Sequence, residues 1–178
     1  MNFRQAVADY PASLLPAALL RAYPEATHVV LTLRRGGVAD WKASMAATLV
    51  HAQLRRAPDD PSPMARLART YHGYRWGGPE GFGEAAAEVY EGHNEEVRRL
   101  LREEDAERAA GEGRSGSGRK VLEFVAGRDG WSELCAFLGV DVPIDGEGKV
   151  VEYPRADDWV AYKKMVERES AEAGGHSA

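Results

Sequence analysis

Residues 27–34 read THVVLTLR, and the next fifteen read RGGVADWKASMAATL (35–49). The first stretch is a compact run of apolar and β-branched residues, the pattern of a strand buried on both faces. Arg35, Gly36 and Gly37 break it. Val38, Trp41, Met45 and Leu49 then recur at spacings of three and four, which predicts an amphipathic helix. A buried strand, a glycine turn and a helix, in that order, are the repeating unit of a parallel α/β sheet.

The flanking sequence extends this pattern. Toward the N-terminus, ASLLPAALLRA (12–22) predicts a short helix, with Pro16 either kinking it or setting its first turn. FRQAVAD (3–9) is a weaker strand candidate. Toward the C-terminus, APDDPSP (57–63) is a connector and 64–71 a short helix, while the aromatic, glycine-rich stretch 71–78 (YHGYRWGG) reads as a loop. A long helix is predicted over 80–108, with Phe82, Ala86, Val89, His93, Val97 and Leu100 on one face. The run of Glu and Arg over 95–104 reads as its solvated side, held by pairs four residues apart.

AGEGRSGSGRK (110–120) has the composition of a flexible linker. VLEFVA (121–126) is a second strand. Trp131, Leu134, Cys135 and Leu138 form the apolar side of a following helix that Gly139 should stop, and Pro143 and IDGEGK (144–149) make a turn. A last helix is expected from Asp157, with Trp159 facing inward and a frayed tail at 172–178. The expected fold is α/β: helix-rich, three-layered, with a small parallel sheet.

Composition excludes several functions. The 178 residues suit one domain with a sizeable core. A net charge of −5 without a basic face argues against a nucleic-acid partner. The single cysteine, Cys135, cannot form an internal disulfide and argues against a cysteine-based metal site. No run approaches the roughly 20 apolar residues that span a bilayer, and MNFRQAVADYPASLL (1–15) lacks the apolar core of a signal peptide. A cytoplasmic protein without a membrane partner is the expectation.

Five segments occur in a distinctive order: DYP (9–11), AYPEATHVVLTLR…DWKASM (22–45), VYEGHNEEV (89–97), VLEFVAGRDGWSELCAFLGVDVP (121–143) and EYPRADDW (152–159). In this order they resemble a sulfotransferase-like family common in fungi. The resemblance implies a P-loop fold of the nucleoside-triphosphate-hydrolase type, spanning 1–178 as a single domain. It also implies 3′-phosphoadenylyl sulfate as sulfuryl donor and a small-molecule hydroxyl or amine as acceptor. In such proteins a strand-end Arg and a Ser in the next helix grip the 3′-phosphate. Here Arg34 or Arg35 and Ser44 match, at a spacing of ten or nine where the family has about eight. A guanidinium fork and a hydroxyl suit a phosphate chemically, and Gly36 and Gly37 would let backbone come close to an anion.

The family's other anchor is a strand–GxGRTGT–helix that cradles the 5′-phosphosulfate. The first residues of this chain do not match it, so the domain reads as N-terminally incomplete. GRSGSGRK (113–120) precedes a strand instead of following one, and is read as linker. Two functional readings follow. One is a sulfuryl-transfer enzyme, impaired by the missing loop; the other is a non-catalytic remnant that binds or interacts, with a second copy or a partner chain completing the sheet. The residues do not name a catalytic group. His93 and Asn94 could form a catalytic pair, but His93 reads better as a core residue. His72 belongs either to an aromatic ligand-stacking loop or to a hydrophobic plug, and Asp9 either points to a ligand or caps helix 12–22.

Overall fold

The computed structural model describes residues 6–8, 12–24, 26–111 and 118–154. The chain divides into two compact units, 1–128 and 129–178, each of which has its own local logic.

In the first unit, α1 (Pro16–Ala22) opens on Pro16, so this proline starts the helix and does not kink it. Two strands follow, β1 (His28–Arg34) and, far along the chain, β2 (Lys120–Ala126). They pair in parallel from His28↔Lys120 to Arg34↔Ala126, and the Lys120 N–H donates to Thr27 O at the entrance of the ladder. Between them come α2 (Gly37–Met45), a π-helical turn (Ala46–Val50), α3 (His51–Leu54), α4 (Pro63–Trp76), a 3₁₀ turn (Pro79–Gly81) and α5 (Phe82–Ala109). The result is a helix-rich α/β arrangement with a two-stranded parallel sheet among the described residues.

Two apolar clusters hold the unit. Leu31, Val97 and Leu101 pack with Leu20, Val29 and Leu33, which seats α1 and α5 on one side of β1. Val50, Trp76, Phe82 and Ala86 pack with Trp41, Met45 and Tyr71, which joins α2, α4 and α5. Expected burial of 27–34 on both faces is therefore corrected. Leu31 is 5 % exposed but its neighbour Val30 is 38 % exposed, because the apolar packing of α1 and α5 falls on the odd-numbered side chains Val29, Leu31 and Leu33.

Three further expectations are corrected. The π-helical turn inserts an extra residue into the helical repeat, so the stripe Trp41–Met45 continues through buried Val50 and leaves Leu49 exposed. The stretch 71–76 is helical, not a loop. Ser62 caps α4 by accepting from the Ala65 N–H, and the helix runs through Gly73 to Gly77, whose left-handed φ of 71° ends it. Only the final pair of glycines is a stop signal; Tyr71 and Trp76 before them face the second cluster, while Tyr74 is exposed. On α5 the buried positions are Asn94 and Leu101, where the sequence pattern pointed to His93 and Leu100. A stripe on a 28-residue straight helix drifts, since 3.6 residues per turn do not divide evenly into the spacing.

Arg119 has a structural role at the edge of the expected linker. Its guanidinium, 4 % exposed, donates to the carbonyls of Leu20 (2.8 Å), Tyr23 (3.0 Å) and Ala26 (2.9 Å) and to the Glu104 carboxylate (2.8 Å). It ties the end of α1, the approach to β1 and α5 together. The central linker residues 112–117 lie outside the described residues.

In the second unit α6 (Trp131–Leu138) begins with the Gly130 N–H donating to Glu133 (2.8 Å), and Gly139 ends it in the left-handed conformation, as expected. The Ile144↔Val150 antiparallel bridge closes a turn in which Asp145 Oδ1 accepts from the N–H groups of Glu147 and Lys149. Trp131 is half-buried, not core; its indole donates to Val151 O (2.9 Å) and stands edge-on to Tyr153. Asp9, the strand candidate's ends and the helix from Asp157 with Trp159 fall outside the described residues, and residues 6–8 form no strand. No described helix is long and apolar enough to cross a membrane.

Candidate functional site

At the C-terminal end of β1 the chain turns through Arg35 and Gly36 into α2. Gly37 takes φ +64°, a conformation that glycine enters without strain. The turn is held by the Gly36 N–H donating to Asp40 Oδ2 (2.9 Å), and a Cβ on Gly36 would collide with that carboxylate. Asp40 thus satisfies a free N–H at the start of α2 and favours the positive end of the helix.

This turn sends the Arg34 side chain up alongside α2. Its Nη2 lies 3.5 Å from Ser44 Oγ, two helical turns on. Charge-assisted N–H···O contacts close to about 2.7–2.9 Å. The two groups therefore converge without saturating one another, and both keep bonding capacity for a third group between them. Arg35 instead extends the ladder, its N–H donating to Ala126 O (3.2 Å), and its side chain flanks Gly127. The structure brings Arg34 to Ser44, and not Arg35.

The wall facing this rim is α5. Tyr90 Oη accepts from the Arg34 N–H (3.0 Å), and its ring lies 5.2 Å from that of Trp41. Lys42 Nζ donates to Gly83 O (2.7 Å), fixing α2 to the start of α5. One turn beyond Tyr90 is Asn94, and one turn beyond that is Arg98, which grips Glu123 on β2 with two bonds (2.5 and 3.0 Å). That grip holds the Glu123 carboxyl below the usual carboxylate range. Together with Leu33, Gly37, Val38, Glu91 and Glu95 these side chains line an open cleft of about 410 Å³. Its carboxylates and cations are unequally occupied. Glu95 pairs with Arg102 (2.6 Å) and Arg98 with Glu123, whereas Arg34 has no carboxylate partner among the described residues.

The histidines lie elsewhere. His72, 2 % exposed, packs between Tyr71 and Trp76, and its Nδ1 accepts from the Trp76 indole (3.0 Å). That bond fixes the proton on Nε2, and burial pushes the imidazole below its ordinary value. His93 is half-buried; burial chiefly, and the Arg75 charge secondarily, lower its pKa. It is not among the residues lining the cleft. Sequence reasoning named Arg34 and Ser44, named Asn94 only as a partner of His93, and did not name Tyr90 or Arg98. The signal joining Tyr90, Asn94 and Arg98 was their four-residue spacing on a helix otherwise read for its apolar stripe.

A sulfotransferase-domain family model matches residues 1–162. The chain belongs to the sulfotransferase-domain family. No curated protein matches the chain significantly, and no solved structure does. In this sulfotransferase-domain protein the five ordered segments that carried the resemblance fall within the matched span, including β1, the Arg34–Ser44 pair and the Tyr90–Arg98 wall.

Proposed function

We propose that the rim above β1 holds the nucleotide end of 3′-phosphoadenylyl sulfate, with Arg34 and Ser44 on its 3′-phosphate, and that the protein transfers the sulfuryl group to a small-molecule hydroxyl or amine. When bound, that donor supplies an activated sulfuryl group. The family membership supports the reaction class, and one observation carries the site: the 3.5 Å gap between Arg34 Nη2 and Ser44 Oγ. A planar fork beside a hydroxyl presents two parallel N–H groups and one O–H to a tetrahedral anion. Arg34 is the cleft cation left without a carboxylate partner among the described residues, so its charge is available. Tyr90 accepts from the Arg34 backbone N–H, which fixes where the side chain starts.

The test is calorimetric titration of the full chain with adenosine 3′,5′-bisphosphate, the desulfated donor. Bonds to a charged group contribute about 1.5–3 kcal/mol, so Arg34→Ala should weaken binding roughly 10- to 150-fold. Equal affinity in the wild type and the variant, or no binding by the wild type, would rule the site out. A second reading, a binding protein without turnover, uses the same grip. It is favoured by the absence of an imidazole among the described residues that line the cleft. Transfer of a labelled sulfuryl group from 3′-phosphoadenylyl sulfate to an added phenol or amine, with adenosine 3′,5′-bisphosphate left behind, separates the two.

A further inference from the structure

Helix α4 carries an apolar stripe on each of two sides. Ala65, His72 and Trp76, seven and four residues apart, form its buried side. Met64, Leu67 and Tyr74, three and seven apart, lie roughly opposite at 3.6 residues per turn. All three face water. Met64 is 63 % exposed, and Tyr74, at 68 %, is the most exposed of the large hydrophobic residues described. The solvent side of a helix ordinarily carries polar residues. One exposed apolar side chain needs no explanation, but three in a single stripe mark a contact surface.

Charge narrows the kind of partner. Over Pro63–Trp76 the helix holds Arg66, Arg69 and Arg75 and no carboxylate, in a chain whose net charge is −5. Arg69 donates to the Asp60 carbonyl (3.0 Å) and Arg75 to the Ser13 carbonyl (2.7 Å), so their bonds leave the positive charge in place. Arg66 is exposed, has no carboxylate partner among the described residues, and stands about 80° round the helix from Tyr74. Just before α4, Leu54 and Arg55 repeat the combination, both exposed. The face is apolar and cationic together.

Area decides between a protein and a lipid surface. A stable protein–protein interface buries about 800 Å² per partner. Three side chains of at most roughly 150–250 Å² each, already partly covered, fall well short of that. An anionic bilayer asks less, because each apolar side chain enters the headgroup boundary on its own and each cation meets lipid phosphates on its own. The tyrosine ring and hydroxyl suit that boundary.

We propose that the outer face of α4 docks the protein on an anionic membrane surface, with Met64, Leu67 and Tyr74 entering the headgroup boundary and Arg66 meeting lipid phosphates. The lack of a bilayer-spanning run does not bear on this, since a helix lying in the surface needs a stripe and not a long apolar segment. The docking face is separate from the Arg34–Ser44 pair, so either proposal can fail alone.

The experiment floats the full chain with two sets of vesicles, phosphatidylcholine alone and phosphatidylcholine mixed with phosphatidylserine. Wild type should float with the mixed set and not with the neutral one, and added salt should loosen it. Arg66→Ala should weaken partition roughly fivefold, the share of one basic residue near such a surface. Leu67→Gln and Tyr74→Gln, at exposed positions where the fold does not depend on the side chain, should each cost about as much. Ile144→Gln, which removes an apolar side chain 64 % exposed elsewhere, should leave partition unchanged. Equal flotation with both vesicle sets, no flotation, or α4 variants that float like wild type overturn the inference. A concentration-dependent dimer in sedimentation velocity that Leu67→Gln abolishes would give the face to a second copy and overturn it as well.

Discussion

At the scale of single residues, the site turns on one choice between adjacent arginines. Arg34 and Arg35 are equally charged and equally plausible on paper, and both are exposed. The strand geometry separates them, because successive side chains leave a strand on opposite faces. Arg35→Ala should accordingly change affinity for adenosine 3′,5′-bisphosphate by less than about twofold, a surface-charge effect screened by salt; a loss matching that of Arg34→Ala would exchange their roles. Arg34 and Ser44 were singled out through the family resemblance, and the strand–turn–helix around them, legible from its periodicity, is what brings their side chains within 3.5 Å. Asn94 was named only as a partner of His93, and the packed helix shows that residue 94, not 93, lines the cleft.

At the scale of elements, strands and helices with clear periodicity were readable, and irregularities in that periodicity were not. The π-helical turn at Ala46–Val50 shifts the apolar stripe by one residue, a choice that packing against Trp76 and Phe82 imposes and that no spacing in 38–49 reports. The second half of α4 was missed because it is aromatic and contains Gly73, features that suit a loop equally well until the Trp76 cluster is in view. Inside α4, His72 links packing to pH. Its folded pKa lies below the ordinary 6.5, so the unfolded chain takes up the proton first. Stability is then full above about pH 6.5 and is lost as pH falls through the interval beneath it, with His93 shifted in the same direction. Melting temperature should drop between about pH 7.5 and pH 5.5, and His72→Gln, which keeps an acceptor for the Trp76 indole without titrating, should flatten part of that slope. An unchanged slope would mean that His72 is already solvated.

At the scale of the whole molecule, distant segments are joined by contacts that sequence spacing cannot reveal. Arg119 sits beside a glycine-serine run and carries no periodic signal, yet it bonds carbonyls nearly a hundred residues earlier in the chain. Removing it leaves those three carbonyls without this donor, while Glu104 keeps only Arg108. Arg119→Ala should destabilise the protein by about 1–3 kcal/mol in chemical denaturation, and lysine should not restore it, since a point charge cannot reach three carbonyls at once. A loss below about 1 kcal/mol would show that water replaces the guanidinium. The parallel pairing of β1 with β2 was legible from two apolar runs separated by helices. The division of the chain at 128/129 was not, because no composition break marks it.

The central claim is that Arg34 and Ser44 act on one shared anion, and a double-mutant cycle on affinity for adenosine 3′,5′-bisphosphate tests it most directly. Arg34→Ala, Ser44→Ala and the double variant should give losses that fail to add, with a coupling of about 0.5–3 kcal/mol in binding. Losses that sum to within about 0.3 kcal/mol would place the two residues on separate parts of the ligand or off it, and would contradict the account.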